Sequence, residues 1–407
     1  MTKLKKTVSL ITLVISLTGC SVGGIKSSND IYIRNKQING EQKIKNVILF
    51  IGDGMGPNHV DAGGIAKGEP LCFDQVTEDW AYHAYANTDS LSSAAYTLDE
   101  TKTLLRPEEN ESLHEGYTDS AAGGTALATG SKVTNYRVAL DSEGNELETL
   151  VDISKALDKK AGVISSDTIV GATPSAFYAH ANDRNDKDDL ITTAAESPVD
   201  LILTKNDVKF KGRQKEYEAL YKSNGFDNIA YKVEDLNSDA DRILGLFEGV
   251  VTAQNDARGV PTLRDLTVFA LDYLDNEEGF FLMVEGANID KVSHNNQAKS
   301  MLKELLAFDE AIEAAMEWAE NRDDTIMVVT ADHETGGLYY DRENVTQENI
   351  GNSIKWLSGN HTRTRVDIAV YGNIDEFTNY YSSLFKTLEG VPYWDNTDVF
   401  KLCASYL

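Results

Sequence analysis

Several carboxylates and histidines in this chain stand in pairs spaced to hold an ion. Glu285 follows the apolar run Phe280 to Val284, with Asp290 and His294 shortly beyond it. Asp290 and His294 are four residues apart, so one helical turn or a compact loop can aim both at one cation. Asp332 and His333 follow a second apolar run, Thr325 to Thr330, and His361 stands in Gly359-Asn360-His361-Thr362. A single Asp-His pair is more often surface than ligand, and His361 alone reads as a loop residue. Yet three of the chain's seven histidines fall beside carboxylates or strand ends. Mixed histidine and carboxylate donors suit zinc, whereas an oxygen-only set suits magnesium. The combination points to a multi-metal site.

Two further residues join this set. Asp53 lies in Gly52-Asp53-Gly54-Met55-Gly56, just after the run Asn46 to Ile51. The glycines permit a sharp turn and close backbone approach to a ligand, although an Asp between glycines is usually only a turn. Ser120 stands in Thr118-Asp119-Ser120-Ala121-Ala122-Gly123-Gly124. A Ser followed by small residues can open a helix, whose free N–H groups and partial positive charge favour phosphate; it can equally be a plain N-cap. Metal coordination can activate a serine without a neighbouring histidine base. Gly130-Ser131-Lys132 lacks P-loop spacing. Asp183 to Asp189 is acidic, but Lys187 and the missing Gly break the EF-hand pattern. His59, His83 and His114 have no partner pattern and read as surface or structural residues.

The elements that must position these residues alternate. Asn46 to Ile51, Gly162 to Ser165, Leu201 to Thr204, Phe280 to Val284, Thr325 to Thr330 and Asp367 to Tyr371 read as buried strands, the last following His361. Helical spacing links Leu150, Ile153 and Leu157, and again Leu263, Leu266, Ala270 and Leu274 after Pro261. Met301, Leu302, Leu305, Leu306, Ile312, Ala315 and Ala319 line one face of a long helix. The pattern predicts an α/β fold with a central, mostly parallel sheet flanked by helices on both faces. Sites in such sheets form beyond the C-terminal strand ends, where the residues above lie. Lys205 to Arg258 has weak periodicity and reads as an open stretch, a possible insertion near the site entrance.

With 407 residues, the chain suffices for one large α/β domain or two to three smaller ones. Its 41% hydrophobic and 25% charged content is that of a soluble globular protein, which argues against disorder. The formal net charge of −27 argues against stable nucleic-acid binding, which needs clustered Lys and Arg. Lys3, Lys5 and Lys6, then the short apolar stretch Val8 to Leu17, form a signal peptide, and Leu17-Thr18-Gly19-Cys20 resembles a bacterial lipobox. This divides the chain into a signal at 1–19, a polar tether at 20–44 and a catalytic domain at 45–407. It also predicts export to the periplasm or cell surface with a lipid on Cys20 as the only membrane contact. Cys72 and Cys403 could pair in an oxidising compartment or stay as buried thiols.

The ordered motifs resemble those of the alkaline phosphatase family across roughly Lys45 to Gly372. They are Ile51-Gly52-Asp53-Gly54-Met55-Gly56, Thr118-Asp119-Ser120-Ala121-Ala122, Ala172-Thr173-Pro174, Val284-Glu285-Gly286 with Ile289-Asp290-Lys291, Thr330-Ala331-Asp332-His333, and Gly359-Asn360-His361-Thr362. The resemblance implies one zinc on Asp290, His294 and His361. It implies a second on Asp53, Asp332 and His333, with Ser120 as reactive ligand, and magnesium on Asp53, Thr173 and Glu285. Arg184 stands at the position of the family's phosphate-binding arginine, a planar fork suited to two phosphate oxygens. Lys291 could contact phosphate through water, and His180 matches a histidine read as structural. The chain departs from the pattern at Gly171, where many relatives carry Asp or His near the magnesium.

The implied activity is hydrolysis of small-molecule phosphate monoesters through a phosphoserine at Ser120. The family resemblance also implies a homodimer. The alternatives are a phosphodiesterase or sulfatase of the same superfamily, or a lipoprotein that binds phosphate or metal without turnover.

Overall fold

The computed structural model describes residues 44–75, 80–93, 116–250, 260–372, 386–388 and 391–407. The expected signal, all of the tether but Ile44, Cys20 and His114 lie outside them. The strands, in chain order, are β1 (Asn46–Ile51), β2 (Trp80–Asn87), β3 (Lys160–Thr168), β4 (Leu201–Lys205), β5 (Asn228–Ala230), β6 (Ile243–Phe247), β7 (Phe280–Glu285) and β8 (Thr325–Thr330). They are followed by β9 (Glu334–Thr335), β10 (His361–Thr362), β11 (Val366–Tyr371), β12 (Lys386–Leu388) and β13 (Val391–Asp395). Among the described residues, eleven of these form one sheet in the order β12-β13-β2-β11-β8-β1-β7-β3-β4-β6-β5. From β8 through β5 every pairing is parallel, and β11 runs antiparallel to both its neighbours. Every residue of β1, β7 and β8 is buried, as continuous apolar runs covered on both faces require.

The central strands end level with one another. Ile51 pairs with both Glu285 and Thr330, and Ser165 pairs with Glu285. Residues leaving β1, β7 and β8 therefore emerge at one edge, where the strand-end rule places a site.

The helices around this sheet are α1 (Pro57–Lys67), α2 (Ser120–Thr129), α3 (Leu150–Ala156), α4 (Ala172–Tyr178), α5 (Lys187–Glu196), α6 (Val208–Gly212) and α7 (Gln214–Ser223). After them come α8 (Leu263–Leu274), α9 (Asn288–Ser293), α10 (Ala298–Ala319), α11 (Ile350–Ser353) and α12 (Asn396–Tyr406). On α10 the expected stripe is buried except at Leu306, which is half-buried; Phe308, three residues after Leu305 on the same face, is buried as well. The Phe308 ring meets Phe50 of β1 and Phe73 edge-on, with centroids 6.0 and 6.5 Å apart. A fully buried Phe is worth about 2–3 kcal/mol, so this contact ties α10 to the sheet.

Three readings gain detail. Two strands, β12 and β13, follow the one expected to be last. The stretch from Lys205 continues the α/β alternation through α6, α7, β5 and β6, and so widens the sheet. Cys72 and Cys403 are buried free thiols. Among the described residues, no helix is long and apolar enough to cross a membrane.

Candidate active site

Each turn leaving a central strand delivers one donor. Asp53 follows β1 in a turn that needs Gly54 at φ 72°. Glu285 ends β7, and Asp332 with His333 follows β8. Asp290 rides on α9, with His294 at its C-cap. His361 arrives differently: β10 pairs antiparallel with β9, setting His361 opposite Thr335. Asp53, Ser120, Thr173, Glu285, Asp290, Asp332, His333 and His361 are all buried, and His294 lies at the exposed rim.

The three imidazoles are oriented from behind. His294 Nδ1 lies 2.6 Å from the Gly359 carbonyl and His361 Nδ1 lies 2.8 Å from the Thr118 carbonyl. A carbonyl only accepts, so each Nδ1 carries the proton and each Nε2 turns a lone pair inward. Thr335 donates its hydroxyl to Asp290 Oδ1 at 2.5 Å and accepts from His333 Nδ1 at 3.3 Å, which orients that ring likewise.

The inward atoms form two close sets. Asp290 Oδ1, His294 Nε2 and His361 Nε2 make a triangle with edges of 3.3, 3.6 and 3.1 Å. His333 Nε2 lies 3.5 Å from Asp53 Oδ1, 3.2 Å from Asp332 Oδ2 and 3.1 Å from Ser120 Oγ. Donors about 2.0–2.2 Å from a tetrahedral ion stand roughly 3.3–3.6 Å from one another, so both sets fit zinc. Two Nε2 lone pairs facing each other at 3.1 Å also need a positive centre between them.

The electrostatics agree. Burial, then the charges of Asp332, Asp290 and Glu285, push the Asp53 carboxyl well above its usual range. Burial, then Asp167, pushes Glu285 up to about 8. A hydrogen bond to Asp290 raises His294 to about 8, while burial and then His333 lower His361 to about 4. Without a cation, protons would gather among these carboxylates and nitrogens. Asp53 Oδ1 and Glu285 Oε1 are buried with no hydrogen-bond partner, which suits two oxygen donors awaiting a hard cation. Thr173, at the start of α4, adds a third oxygen, with Oγ1 3.5 Å from Asp332 Oδ2.

Ser120 is the first residue of α2 and not its cap; the cap is Asp119, which accepts from the Ala122 N–H at 3.0 Å. The other Asp119 oxygen accepts from Arg184 Nη1 at 3.0 Å and from the Tyr136 N–H at 3.1 Å. The Arg184 guanidinium is thereby held next to the nucleophile candidate. Lys291 is committed to an ion pair with Asp167. His180 Nδ1 lies 2.8 Å from the Ala139 carbonyl. His59 is fully buried; its Nδ1 accepts from the Gly56 N–H, and burial lowers it to about 3.

Sequence reasoning did not single out Asp119, Asp167, Thr335 or Glu334 as parts of this network. Glu334 is buried behind His333 and accepts from the Gly337 and Leu338 N–H groups and the Thr362 hydroxyl. Only Asp119 left a legible trace, an Asp before a run of small helix-forming residues.

A sequence profile of the family described as Alkaline phosphatase matches residues 44–208 and 204–389. Alkaline phosphatase 4 of Bacillus subtilis (strain 168) is 30% identical over 306 residues, which are 73% of this chain and 62% of that protein. The chain thus spans a little under two thirds of that relative. The alkaline phosphatase structure from the Antarctic bacterium TAB5 shares the fold, with a TM-score of 0.70 at 24% identity over 90% of this chain and 98% of that one. A variant of it, described with Mg bound in its M3 site, has a TM-score of 0.67 at 24% identity over 90% of this chain and 99% of that one. The profile covers most of the described sheet and every donor above, and the chain belongs, as its motifs led us to expect, to the alkaline phosphatase family of hydrolases.

Proposed function

We propose that this chain hydrolyses phosphate monoesters to an alcohol and inorganic phosphate through a phosphoserine at Ser120, using two zinc ions and one magnesium ion. The observation that carries the reading is the place of Ser120 Oγ, 3.1 Å from His333 Nε2 and so beside the donor group Asp53, Asp332 and His333. Asp290, His294 and His361 would hold one zinc, and Asp53, Asp332 and His333 the other. Asp53, Thr173 and Glu285 would hold magnesium, a reading supported by the TAB5 variant described with Mg. Bound there, the cations supply the positive charge that lets a serine hydroxyl and a water ionise near neutral or alkaline pH and that offsets charge on the leaving oxygen.

The chain's own groups do the rest. The N-terminal N–H groups of α2 and the Arg184 fork bind the nonbridging oxygens and fix the phosphoryl group for in-line attack. Ser120 Oγ bonds to phosphorus as the bond to the alcohol oxygen breaks, and the alcohol leaves with a proton. Water then attacks phosphorus, the bond to Oγ breaks, Ser120 regains a proton and phosphate departs. A guanidinium aimed beside a helix N-terminus favours the doubly charged terminal group of a monoester over a diester or sulfate. Export, a lipid on Cys20 and a homodimeric assembly complete the proposal on sequence grounds.

The test compares release of p-nitrophenol from its phosphate, from a phosphate diester and from its sulfate, before and after EDTA, with zinc and magnesium restored separately and together. The expected result is monoester turnover lost to chelation and regained with zinc. Faster turnover of diester or sulfate, or none with zinc loaded, would overturn the reading. Ser120→Ala should abolish trapping of labelled phosphate on the protein, and a variant that still traps it would remove Ser120 as nucleophile.

A further inference from the structure

Gly171, which departs from the family pattern, caps α4 without any side-chain hydrogen bond. The space beside it is nonetheless filled. A β-carbon built on Gly171 would stand 2.6 Å from Asp167 Oδ2 and 2.8 Å from Asp167 Cβ and Cγ. Asp167 reaches that space because the pairing of β3 with β4 breaks register between Ile164 and Thr168. The break lets the chain swing, so a residue four positions upstream presents its carboxylate where the side chain of residue 171 would begin.

The carboxylate has defined partners there. Asp167 Oδ1 forms the ion pair with Lys291, the residue next to the ligand candidate Asp290, and accepts from the Thr168 N–H at 2.6 Å. The Asp167 N–H donates to Ser165 Oγ at 2.7 Å, and the Ser165 hydroxyl donates to Glu285 Oε2. The other oxygen of Glu285 is the buried atom with no partner. Asp167 is thus joined to Lys291 directly and to Glu285 through Ser165, and Glu285 keeps one unmatched oxygen.

We propose that Asp167 supplies, from the end of β3, the carboxylate that position 171 lacks: it holds Lys291 in place and closes the oxygen-lined pocket at Glu285 around the magnesium ion. The inference rests on the metal assignment above. Asp167 acts as a positioning residue, through Lys291 and through the Ser165 relay that orients Glu285. Carboxylates behind metal ligands typically change affinity 10–100-fold when removed. Geometry also makes positions 167 and 171 exclusive. Either can carry the carboxylate, but both cannot without a clash.

Calorimetric titration of the zinc-loaded full chain with magnesium tests this directly, in wild type, D167A, D167N and D167G/G171D. D167A should bind magnesium about 10–100-fold more weakly. The double variant should recover most of that loss, because glycine at 167 also removes the β-carbon that would stand 2.8 Å from a new β-carbon at 171. G171D alone, with Asp167 still present, should lower the unfolding temperature in EDTA. D167N, nearly isosteric, should fold as wild type and weaken magnesium binding even where D167A proves unstable. Wild-type magnesium affinity in both D167A and D167N, or a double variant no better than D167A, would overturn the proposal. The comparison reads binding alone, so failure of the phosphatase reading, seen as no ester turnover, is told apart from failure of this one.

Discussion

Asp119→Ala removes one carboxylate that serves three donors: the Ala122 N–H, the Tyr136 N–H and Arg184 Nη1. The first bond caps α2, and losing an Asp cap costs about 1 kcal/mol. The second loss removes the acceptor of the Tyr136 N–H, on a residue 55% exposed and open to water, so it costs only about 0.5–1.5 kcal/mol. Together they predict a stability loss of about 1.5–2.5 kcal/mol. The third bond has a different consequence. Arg184 is 29% exposed along its side chain, so a freed guanidinium regains rotamers that phosphate must order again. Ordering such a side chain costs about 0.5–1.5 kcal/mol, so inhibition by inorganic phosphate should weaken up to about tenfold. Competitive inhibition of p-nitrophenyl phosphate hydrolysis measures the second effect and urea unfolding the first. D119N keeps an oxygen for the Ala122 N–H but turns an amide toward Arg184, so it separates the two effects. Reduced stability in D119A with unchanged phosphate inhibition in both variants would show that Asp119 is a cap alone.

Two further outcomes follow from the packing and the charges. A β-carbon at Gly123 would stand 2.9 Å from the Asp332 carbonyl oxygen and 3.0 Å from its Cβ, so Gly123→Ala should push α2 away from a ligand candidate. The expected cost is about 1–3 kcal/mol of stability and up to about 10²-fold in kcat/KM; turnover at the wild-type rate would show that α2 has slack there. Asp367, on β11, is raised from 3.8 to about 7 by burial and then by Asp74 and Asp61. A carboxyl raised in the folded state stabilises fully below its unfolded value and loses that contribution as pH rises through about 7. Asp367→Asn should therefore gain about 1–2 kcal/mol at pH 8, allowing for partial exposure, and progressively less toward pH 4. Thermal unfolding at the two pH values checks this, and an equal gain at both would refute it.

Much of the fold was legible because burial leaves a local trace. The runs at 46–51, 280–285 and 325–330 are apolar throughout since each strand is covered on both faces, and the ligand candidates stand just beyond them since parallel strands open their C-terminal ends to the site. The short strands β5 and β6 left weaker marks. Leu306 and Phe308 lie about 200° apart around α10, and contact with Phe50 and Phe73 marks the Phe308 side as the inward one.

Types and spacing of the donors were properties of the sequence alone: which carboxylates, which imidazoles, and in what order along the chain. The tertiary structure decided which atom of each faces inward and what stands behind it. Thr335 became the link between Asp290 and His333 because β9 pairs with β10. Asp119 took Arg184 from 65 residues away. Asp167 filled the space beside Gly171 because of one break in strand register. Side-chain periodicity reports how a segment meets its own surroundings. Register and chain crossing bring distant segments together, and no local pattern encodes them.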